Sequence, residues 1–127
     1  MCTTCPYIDP STVLHAPKRD QRITRPFTCR STNLVYAVTC TKCPKIYIGE
    51  TERTLHDRFD EHKKDTEKKD PNKSVAVHFN LPGHGVEHMR VRGIWQMRSD
   101  TIDRKNMETH LIDLLGTYFP DGLNRRH

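Results

Sequence analysis

Residues 34–49, with the sequence LVYAVTCTKCPKIYIG, decide the fold of this chain. The first six and the last four of these positions are rich in β-branched and aromatic residues, which favour β-strands. The break between them holds two cysteines, two lysines and a proline, and it is long enough only for a connection. The stretch therefore predicts a β-hairpin that carries Tyr36 on its first strand and Tyr47 on its second.

Further elements are predicted downstream of the hairpin. Residues 54–69 contain neither proline nor glycine and repeat apolar side chains at helical spacing, so they predict a helix. A shorter helix is expected at residues 75–79, before a Leu-Pro-Gly stop, and a third strand at residues 89–97. Residues 100–115, followed by Gly116, predict a longer helix. Short strands mixed with helices indicate an α/β protein of the α+β type.

The composition limits the class of protein. A chain of 127 residues has room for one compact domain, and its hydrophobic content of 34% predicts a small core that needs a cross-link or a metal. Two C-x-x-C pairs and the lack of an apolar leader predict an intracellular metal-binding protein rather than a secreted disulfide protein. No apolar run reaches the roughly 18 residues of a membrane span. The formal charge of +5 fits a polyanionic partner such as nucleic acid.

Residues 1–32 predict a basic, proline-rich N-terminal arm, and residues 33–127 predict the main domain. The arm holds three cysteines and a histidine at irregular intervals. These residues are Cys2, Cys5, His15 and Cys29. They are candidates for a second zinc site, and unligated thiols in a loose arm are the alternative.

Polar side chains occupy helix faces that should be apolar. In the first predicted helix Arg58 and His62 are four residues apart and lie beside Phe59 on one face. In the last helix Glu108 lies on the apolar stripe. A buried charge costs several kcal/mol unless it is paired or bound. The simpler explanation is an internal salt bridge between Arg58 and Glu108, and the functional one is a site for a cation and a phosphate.

The two tyrosines of the hairpin extend this set. A tyrosine couple on neighbouring strands more often belongs to a core than to a catalytic site. Together with an arginine, a histidine and a glutamate, however, it forms the set that hydrolysis of a phosphodiester would use. These residue types supply a base for water, a cation over the developing charge, a proton carrier and a metal ligand.

Five motifs, in this order, resemble the signature of the GIY-YIG nucleases. They are Leu34-Val35-Tyr36, Tyr47-Ile48-Gly49, Arg58-x-x-x-His62, Glu108 and Asn124. Leu34 and Val35 replace the Gly and Ile of the family's first motif, although the tyrosine is kept. The resemblance implies a small three-stranded antiparallel sheet flanked by helices, and an endonuclease that cuts DNA with Mg²⁺ or Mn²⁺. It also implies that Asn124 positions the substrate or the metal ligands.

The resemblance further assigns roles to the other matching residues. Glu108 would bind the catalytic Mg²⁺ or Mn²⁺, and Arg58 would bind non-bridging phosphate oxygens. Tyr36 would help to deprotonate or orient the attacking water, with Tyr47 and His62 in the proton path. The choice of general base between Tyr36 and His62 stays open, because a tyrosine with a pKa of about 10 is a poor base at neutral pH.

A finer resemblance is to the endonuclease domain of Penelope-like retroelements. It rests on Tyr47-Ile48-Gly49-Glu50-Thr51, on residues 78–84 and on Gly122-Leu123-Asn124. In that subgroup a cysteine pair between the tyrosine motifs and two later histidines form a zinc site. The resemblance therefore implies a structural zinc ion with the ligands Cys40, Cys43, His78 and His84. It also implies a DNA substrate, a reverse transcriptase as a fused or separate partner, and a nuclear location.

The residues alone leave the zinc ligands open. Cys40-x-x-Cys43 has the spacing of two thiolates on one tetrahedral ion. The spacing of His84 and His88 suits zinc as well as that of His78 and His84. An all-cysteine site that includes the N-terminal C-x-x-C pair is a further alternative. Each of these sites has four protein ligands and hence a structural role.

Two functional hypotheses follow. The first is a DNA endonuclease, and the second is a zinc-stabilised DNA-binding or interaction module that keeps the fold without cutting. The endonuclease predicts that Tyr36, Tyr47, Arg58, His62 and Glu108 meet in one cleft. The inactive module predicts that side chains fill this cleft or that the carboxylate of Glu108 points away from it.

Overall fold

The computed structural model describes residues 3–97 and 101–126. In chain order the strands are β1 (Val13–His15), β2 (Asp20–Arg22), β3 (Leu34–Cys40), β4 (Cys43–Thr51) and β5 (Met89–Gln96). The helices are α1 (Leu55–Glu67), α2 (Ser74–Phe79) and α3 (Thr101–Leu115). Strands β3 to β5 form an antiparallel sheet in the order β4-β3-β5, flanked by the helices, which confirms the predicted fold class. The predicted start of the last helix, Asp100, lies outside the described residues.

Strand β3 is the middle strand, and both of its faces are buried. Leu34, Tyr36 and Val38 pack in a cluster with residues of α1 and α2. Val35 and Ala37, on the opposite face, pack against residues of α3. A strand that is covered on both faces needs a nearly continuous hydrophobic run, and this explains why the first half of the hairpin sequence does not alternate.

Helix α1 begins where the sequence supplies a cap. The side-chain oxygen of Thr54 accepts a hydrogen bond of 3.1 Å from the backbone N–H of Asp57, which satisfies one of the open donors of the first turn. The helix then buries Leu55, Phe59 and His62 at intervals of three and four residues. Because α1 packs its apolar face on the sheet, His62 is held against β3 and β4.

The N-terminal arm packs against the sheet. Strands β1 and β2 pair as a small antiparallel hairpin, and Leu14 on β1 is buried in the cluster beneath α3. Ile8 forms an isolated parallel bridge with Val91, and the N–H of Asp9 donates to the Val91 carbonyl at 3.0 Å. The buried guanidinium of Arg92 pairs with Asp9 at 2.6 Å. The arm thereby covers part of the outer edge of β5.

The C-terminal tail covers part of the outer edge of β4. The N–H of Leu123 donates to the carbonyl of Ile46 at 2.9 Å, and Leu123 is buried. The tail is held in turn by an isolated bridge between Tyr118 and Asn124. Within the described residues, none of the helices has the length and apolar character that crossing a membrane requires.

Candidate active site and metal centre

The hydroxyl group of Tyr36 lies at the centre of a buried hydrogen-bond network. Tyr36 is fully buried and pairs across the hairpin with Gly49. A Cβ atom at Gly49 would come within 2.5 Å of the Tyr36 ring and hydroxyl, so a glycine is required for this packing. The hydroxyl oxygen lies 2.7 Å from Nε2 of His62 and 2.8 Å from Nε of Arg58. The first tyrosine therefore fixes two side chains of α1.

Burial decides the protonation of this network. It lowers the pKa of His62 to about 3, with smaller contributions from the charges of Arg58 and Lys73, so the imidazole is neutral at neutral pH. Arg58 can only donate, so the Tyr36 oxygen accepts from Arg58 and donates its own proton to His62. Burial also raises the pKa of Tyr36 well above its ordinary value, which keeps this proton in place.

An open cleft lies across the outer edge of β4, between α1 and α3. One cavity in it, of about 340 Å³, is lined by Tyr47, Glu50, Arg58, Lys105, Glu108 and Thr109. A neighbouring cavity, of about 280 Å³, is lined in part by Tyr47, Arg58, His62, Lys73, Asn124 and Arg125. Tyr36 lines neither cavity and lies beneath them, in contact with Arg58 and His62. The five residues predicted for the cleft thus come together, with one of them below its surface.

Glu108 meets the requirements of a metal ligand. Burial raises its pKa from the ordinary 4.5 to about 7, and the negative charge of Glu50 raises it as well, whereas Lys105 and Arg58 act in the opposite direction. A carboxylate that is desolvated and repelled in this way is stabilised by a nearby cation. Carboxylate oxygens are also the protein ligands that Mg²⁺ and Mn²⁺ prefer. Glu108 fits such an ion.

The arginine of the cleft is not paired with this carboxylate. Nη1 of Arg58 lies 3.5 Å from Oε2 of Glu61, one turn further along α1, and its Nε donates to Tyr36. Among the ion pairs of residues 3–97 and 101–126, the internal bridge between Arg58 and Glu108 does not occur. Arg58 and Glu108 therefore line the same cavity without neutralising each other in a direct contact.

A buried ion pair beside the cleft was not predicted from the sequence. Nε of Arg104 donates to Oε2 of Glu50 at 3.0 Å, and the Arg104 side chain is 3% exposed. Nη1 of Arg104 lies 3.3 Å from the side-chain oxygen of Asn33. The sequence does contain a cue, since Arg104 precedes Glu108 by one helical turn and Glu50 directly follows the second tyrosine motif. The pair fixes Glu50 near Glu108.

Asn124 braces the strand that carries Tyr47. Its side-chain oxygen accepts from the N–H of Ile48 and from the hydroxyl of Thr117, each at 2.8 Å. Its amide nitrogen donates to the Ile48 carbonyl at 2.8 Å. The side chain is buried, and these contacts fix the edge of β4 next to Tyr47. Asn124 lines the cleft, and its polar groups are engaged by protein atoms.

A compact cluster of cysteines and histidines lies where the hairpin turn meets α2. Cys40, Cys43, His78 and His84 each offer a donor atom, and these atoms all lie within 4.8 Å of one another. Sγ of Cys43 is 3.3 Å from Nε2 of His78, close to the roughly 3.5 Å that tetrahedral zinc bonds imply for such a pair. Nε2 of His84 is buried and has no hydrogen-bond partner. Two thiols and two imidazoles with an orphaned ring nitrogen fit a zinc ion.

The structure distinguishes between the alternative zinc ligands. His88 is outside the cluster, since its ring centroid lies 6.5 Å from that of His84 and its Nδ1 lies 3.6 Å from a carboxylate oxygen of Glu87. Burial lowers the pKa of His78, which favours the neutral ring that binds metals. Cys5 does not join the cluster, and Cys2 lies outside the described residues.

Two of the four residues predicted for a second zinc site come together. Sγ of Cys5 lies 3.8 Å from Sγ of Cys29, whose side chain is buried. His15 instead pairs with Asp20 across the β1–β2 hairpin, with a distance of 3.0 Å between Nδ1 and the carboxylate oxygen. The second zinc site therefore stays a prediction, and its fourth residue, Cys2, lies outside the described part of the chain.

Comparisons with known proteins agree with this fold. A family model described as the GIY-YIG catalytic domain matches residues 32–124. The solved structure of the catalytic domain of the homing endonuclease I-TevI matches with a TM-score of 0.62 and 19% identity, and the match covers 73% of this chain and 97% of that chain. At this identity the likeness is one of fold. No curated protein sequence gave a significant match.

Proposed function

The chain belongs to the GIY-YIG catalytic-domain family, and from this premise we propose that it is a metal-dependent DNA endonuclease that hydrolyses phosphodiester bonds. The observation that carries the proposal is that Tyr47, Arg58 and Glu108 line a single open cavity. Tyr36 lies directly behind this set, where its hydroxyl holds Arg58 in place and is itself bonded to His62. A cation, a carboxylate and a hydroxyl around an open space are the groups that hydrolysis of a phosphate diester by water requires.

Two charged residues of the cleft would bind the metal ion and the phosphate in the proposed reaction. Glu108 would hold Mg²⁺ or Mn²⁺, which when bound supplies Lewis-acid stabilisation of the phosphate and of the leaving oxygen. Arg58 would bind a non-bridging phosphate oxygen. Because its Nε is fixed by Tyr36, the guanidinium is oriented before the substrate arrives.

Tyr47 is the better candidate for contact with the attacking water. Tyr36 is fully buried, and its hydroxyl is occupied by Arg58 and His62. Tyr47 lines both cavities, although burial raises its pKa and the charge of Glu108 raises it as well. Neutralising Glu108 by cation binding would remove that second effect and bring the Tyr47 hydroxyl closer to a useful base. Tyr36 and His62 then act as positioning residues.

A finer proposal concerns the biological setting. The Cys40–Cys43 pair lies between the two tyrosine motifs and converges with His78 and His84, as expected from the resemblance to Penelope-like retroelements. We propose that the chain is the endonuclease module of such an element, and that it works in the nucleus with a reverse transcriptase. The structural ion of this cluster would be zinc.

The alternative is a zinc-stabilised module that binds DNA without cutting it. That hypothesis requires a filled cleft or an acidic residue that is misdirected. The cavity of about 340 Å³ and the lack of a direct pair between Arg58 and Glu108 favour the enzyme.

A plasmid nicking assay tests the proposal. The wild-type chain should convert supercoiled plasmid to the open circular form in Mg²⁺ or Mn²⁺, and Glu108→Gln should slow this conversion by a factor of about 10³ or more while plasmid binding is kept. Asp113→Asn, an exposed acid on the same helix, is the matched control and should cut like the wild type. Binding without cutting by the wild type would favour the inactive module, and undiminished cutting by Glu108→Gln would refute the metal assignment.

A further inference from the structure

An exposed apolar tip directly follows a residue that lines the cleft, Tyr118. Phe119 is 71% exposed, and Pro120 and Asp121 beside it are exposed as well. We call residues 119–121 the tip loop. A phenylalanine ring that remains in water forgoes about 2 kcal/mol of burial free energy, so the conformation of the segment that carries it needs an explanation.

The tip loop stands on a rigid stem. The N–H of Phe119 donates to the carbonyl of Asn124 at 2.7 Å, and the N–H of Asn124 donates to the carbonyl of Thr117 at 2.9 Å. The N–H of Gly122 closes the loop on the carbonyl of Tyr118 at 3.0 Å. A Cβ atom at Gly122 would lie 2.3 Å from the Thr117 carbonyl oxygen, so the two halves of the stem are packed closely. The ring is thus presented by a hydrogen-bonded support.

The stem joins the tip loop to the cleft. Asn124 bonds both backbone groups of Ile48, the residue next to Tyr47. Tyr118 and Asn124 line the same cavity as Tyr47 and Arg58. Phe119 directly follows Tyr118, which lines that cavity, so the tip loop is attached to the wall of the cleft.

Three positively charged residues lie near the tip loop, either in contact with it or close to it in sequence. Nζ of Lys45 donates to the carbonyl oxygen of Pro120. The guanidinium of Arg126 stacks over the Tyr118 ring at 4.0 Å, and the exposed Arg125 lines the cleft next to it. These three cations outnumber the single acid of the loop, Asp121. An apolar wedge between cations suits a duplex, whose phosphates meet the cations and whose bases meet the ring.

We propose that Phe119, supported by Pro120, inserts between adjacent bases of the DNA that is bound in the cleft. Phenylalanine and proline are among the residues that proteins use as such wedges, and partial unstacking of a base step costs a few kcal/mol that the buried ring helps to offset. The inference rests on the proposed function, because it takes DNA to be the substrate. It adds a contact that would place the cut beside a distorted base step.

The test compares two short DNA duplexes that differ only in a central unpaired nucleotide. This bulge separates two adjacent base pairs before the protein binds. Without added Mg²⁺ or Mn²⁺, the wild type should bind the bulged duplex about tenfold more tightly, in line with the worth of one aromatic–base stack. Phe119→Ala should lose most of this preference, and Phe119→Trp should keep it. Ile102→Ala removes a side chain that is 70% exposed but lines neither cavity, and it should behave like the wild type.

Salt dependence separates the ring from the charges. The loss of preference for the bulged duplex in Phe119→Ala should be the same at low and high salt. Arg126→Ala should instead reduce the slope of log affinity against log salt by about one, the value expected for one lost phosphate contact. If the wild type nicks plasmid but Phe119→Ala keeps the preference for the bulge, the wedge is wrong and the proposed function stands. If the wild type neither binds nor nicks DNA, both fail.

Discussion

The Cys/His cluster and the cleft both offer donor atoms for a metal ion, but they differ in closure. In the cluster, four donor atoms from the hairpin turn, α2 and the following loop converge within 4.8 Å. A tetrahedral ion there would have no position left for a substrate. In the cleft, Glu108 lines a cavity of about 340 Å³, so an ion on it would take most of its ligands from water and phosphate.

Because of this difference, loss of the first site should affect the stability of the fold, and loss of the second should affect the nicking activity. A closed site joins segments that are far apart in sequence, so its loss should be seen as unfolding. An open site leaves a carboxylate partly desolvated and close to another, so it should lower stability slightly until its ligand arrives. The predictions below use this contrast, beginning with the largest expected effect.

Removal of the ion from the Cys/His cluster should unfold the domain. The apparent free energy of zinc binding in small domains is about 10 kcal/mol or more, which is as large as the whole stability of most domains. A zinc chelator or Cys43→Ser should therefore abolish the cooperative thermal transition in circular dichroism. His84→Ala should act in the same way.

The neighbouring histidine supplies the control for this experiment. His88 is on the same segment as His84 but outside the cluster, so His88→Asn should keep its bound zinc and a melting temperature near that of the wild type. Elemental analysis of the purified variants measures the zinc content. Purified protein that lacks zinc yet melts cooperatively would contradict the structural role.

The two tyrosines should separate folding from catalysis within the cleft. Tyr47→Phe should slow plasmid nicking by about 10²-fold, because a proton-transfer group is lost, with little change in melting temperature. Tyr36→Phe should also slow nicking, but it leaves the buried Nε2 of His62 and the partly buried Nε of Arg58 without this partner. That change should lower the free energy of unfolding by roughly 2 kcal/mol.

Paired measurements of nicking rate and melting temperature distinguish these two roles. A Tyr36→Phe variant that keeps the wild-type melting temperature would argue against the positioning role. A Tyr47→Phe variant that cuts at the wild-type rate would remove Tyr47 from the reaction. Only the second result would shift the water contact to another residue of the cleft.

Without added Mg²⁺ or Mn²⁺, Glu108→Gln should stabilise the fold slightly. The pKa of Glu108 is raised from 4.5 to about 7 by burial and by Glu50, so ionisation costs more in the folded than in the unfolded chain. This cost appears as the pH rises above about 4.5 and is complete above about 7. The variant should therefore melt about 3 °C higher than the wild type at high pH, after allowance for solvent screening. The difference in melting temperature should vanish near pH 4.5, the ordinary pKa of a glutamate.

Addition of Mg²⁺ should reverse this order, since the ion can stabilise only the carboxylate form. Differential scanning calorimetry at two pH values, with and without Mg²⁺, measures all four cases. Equal melting temperatures under every condition would show that Glu108 is neither strained nor a metal ligand. Asp113→Asn serves again as the exposed control.

The fold was predictable where local patterns agree with tertiary packing. The hairpin followed from its β-branched residues, and α1 from its apolar spacing and its lack of proline and glycine, since these features act over a few residues. The pairing of the N-terminal arm with β5 was not predicted. It depends on contacts such as Arg92 with Asp9, which are distant in sequence and leave no periodic pattern.

The sequence predicted which residues of the candidate site would lie close together, but not how deeply each of them is buried. Spacing places Arg58 and His62 on one face of α1, but it does not reveal that Tyr36 lies below them and Tyr47 beside the cleft. That distinction depends on Gly49, because the missing side chain is what lets the Tyr36 ring pass under β4. The ion pair of Arg104 with Glu50 was missed because its only cue in the sequence is the helical spacing of Arg104 and Glu108, and that spacing does not name a partner on β4.

The N-terminal arm and the C-terminal tail also protect the two edges of the sheet. Exposed edge strands invite pairing with another molecule, and proteins avoid aggregation by covering them. Ile8 and Asp9 occupy backbone groups at the edge of β5, and Leu123 and Asn124 do the same at the edge of β4. A chain shortened at either end would expose these strand edges and should aggregate. Both terminal segments therefore help to keep the protein in solution.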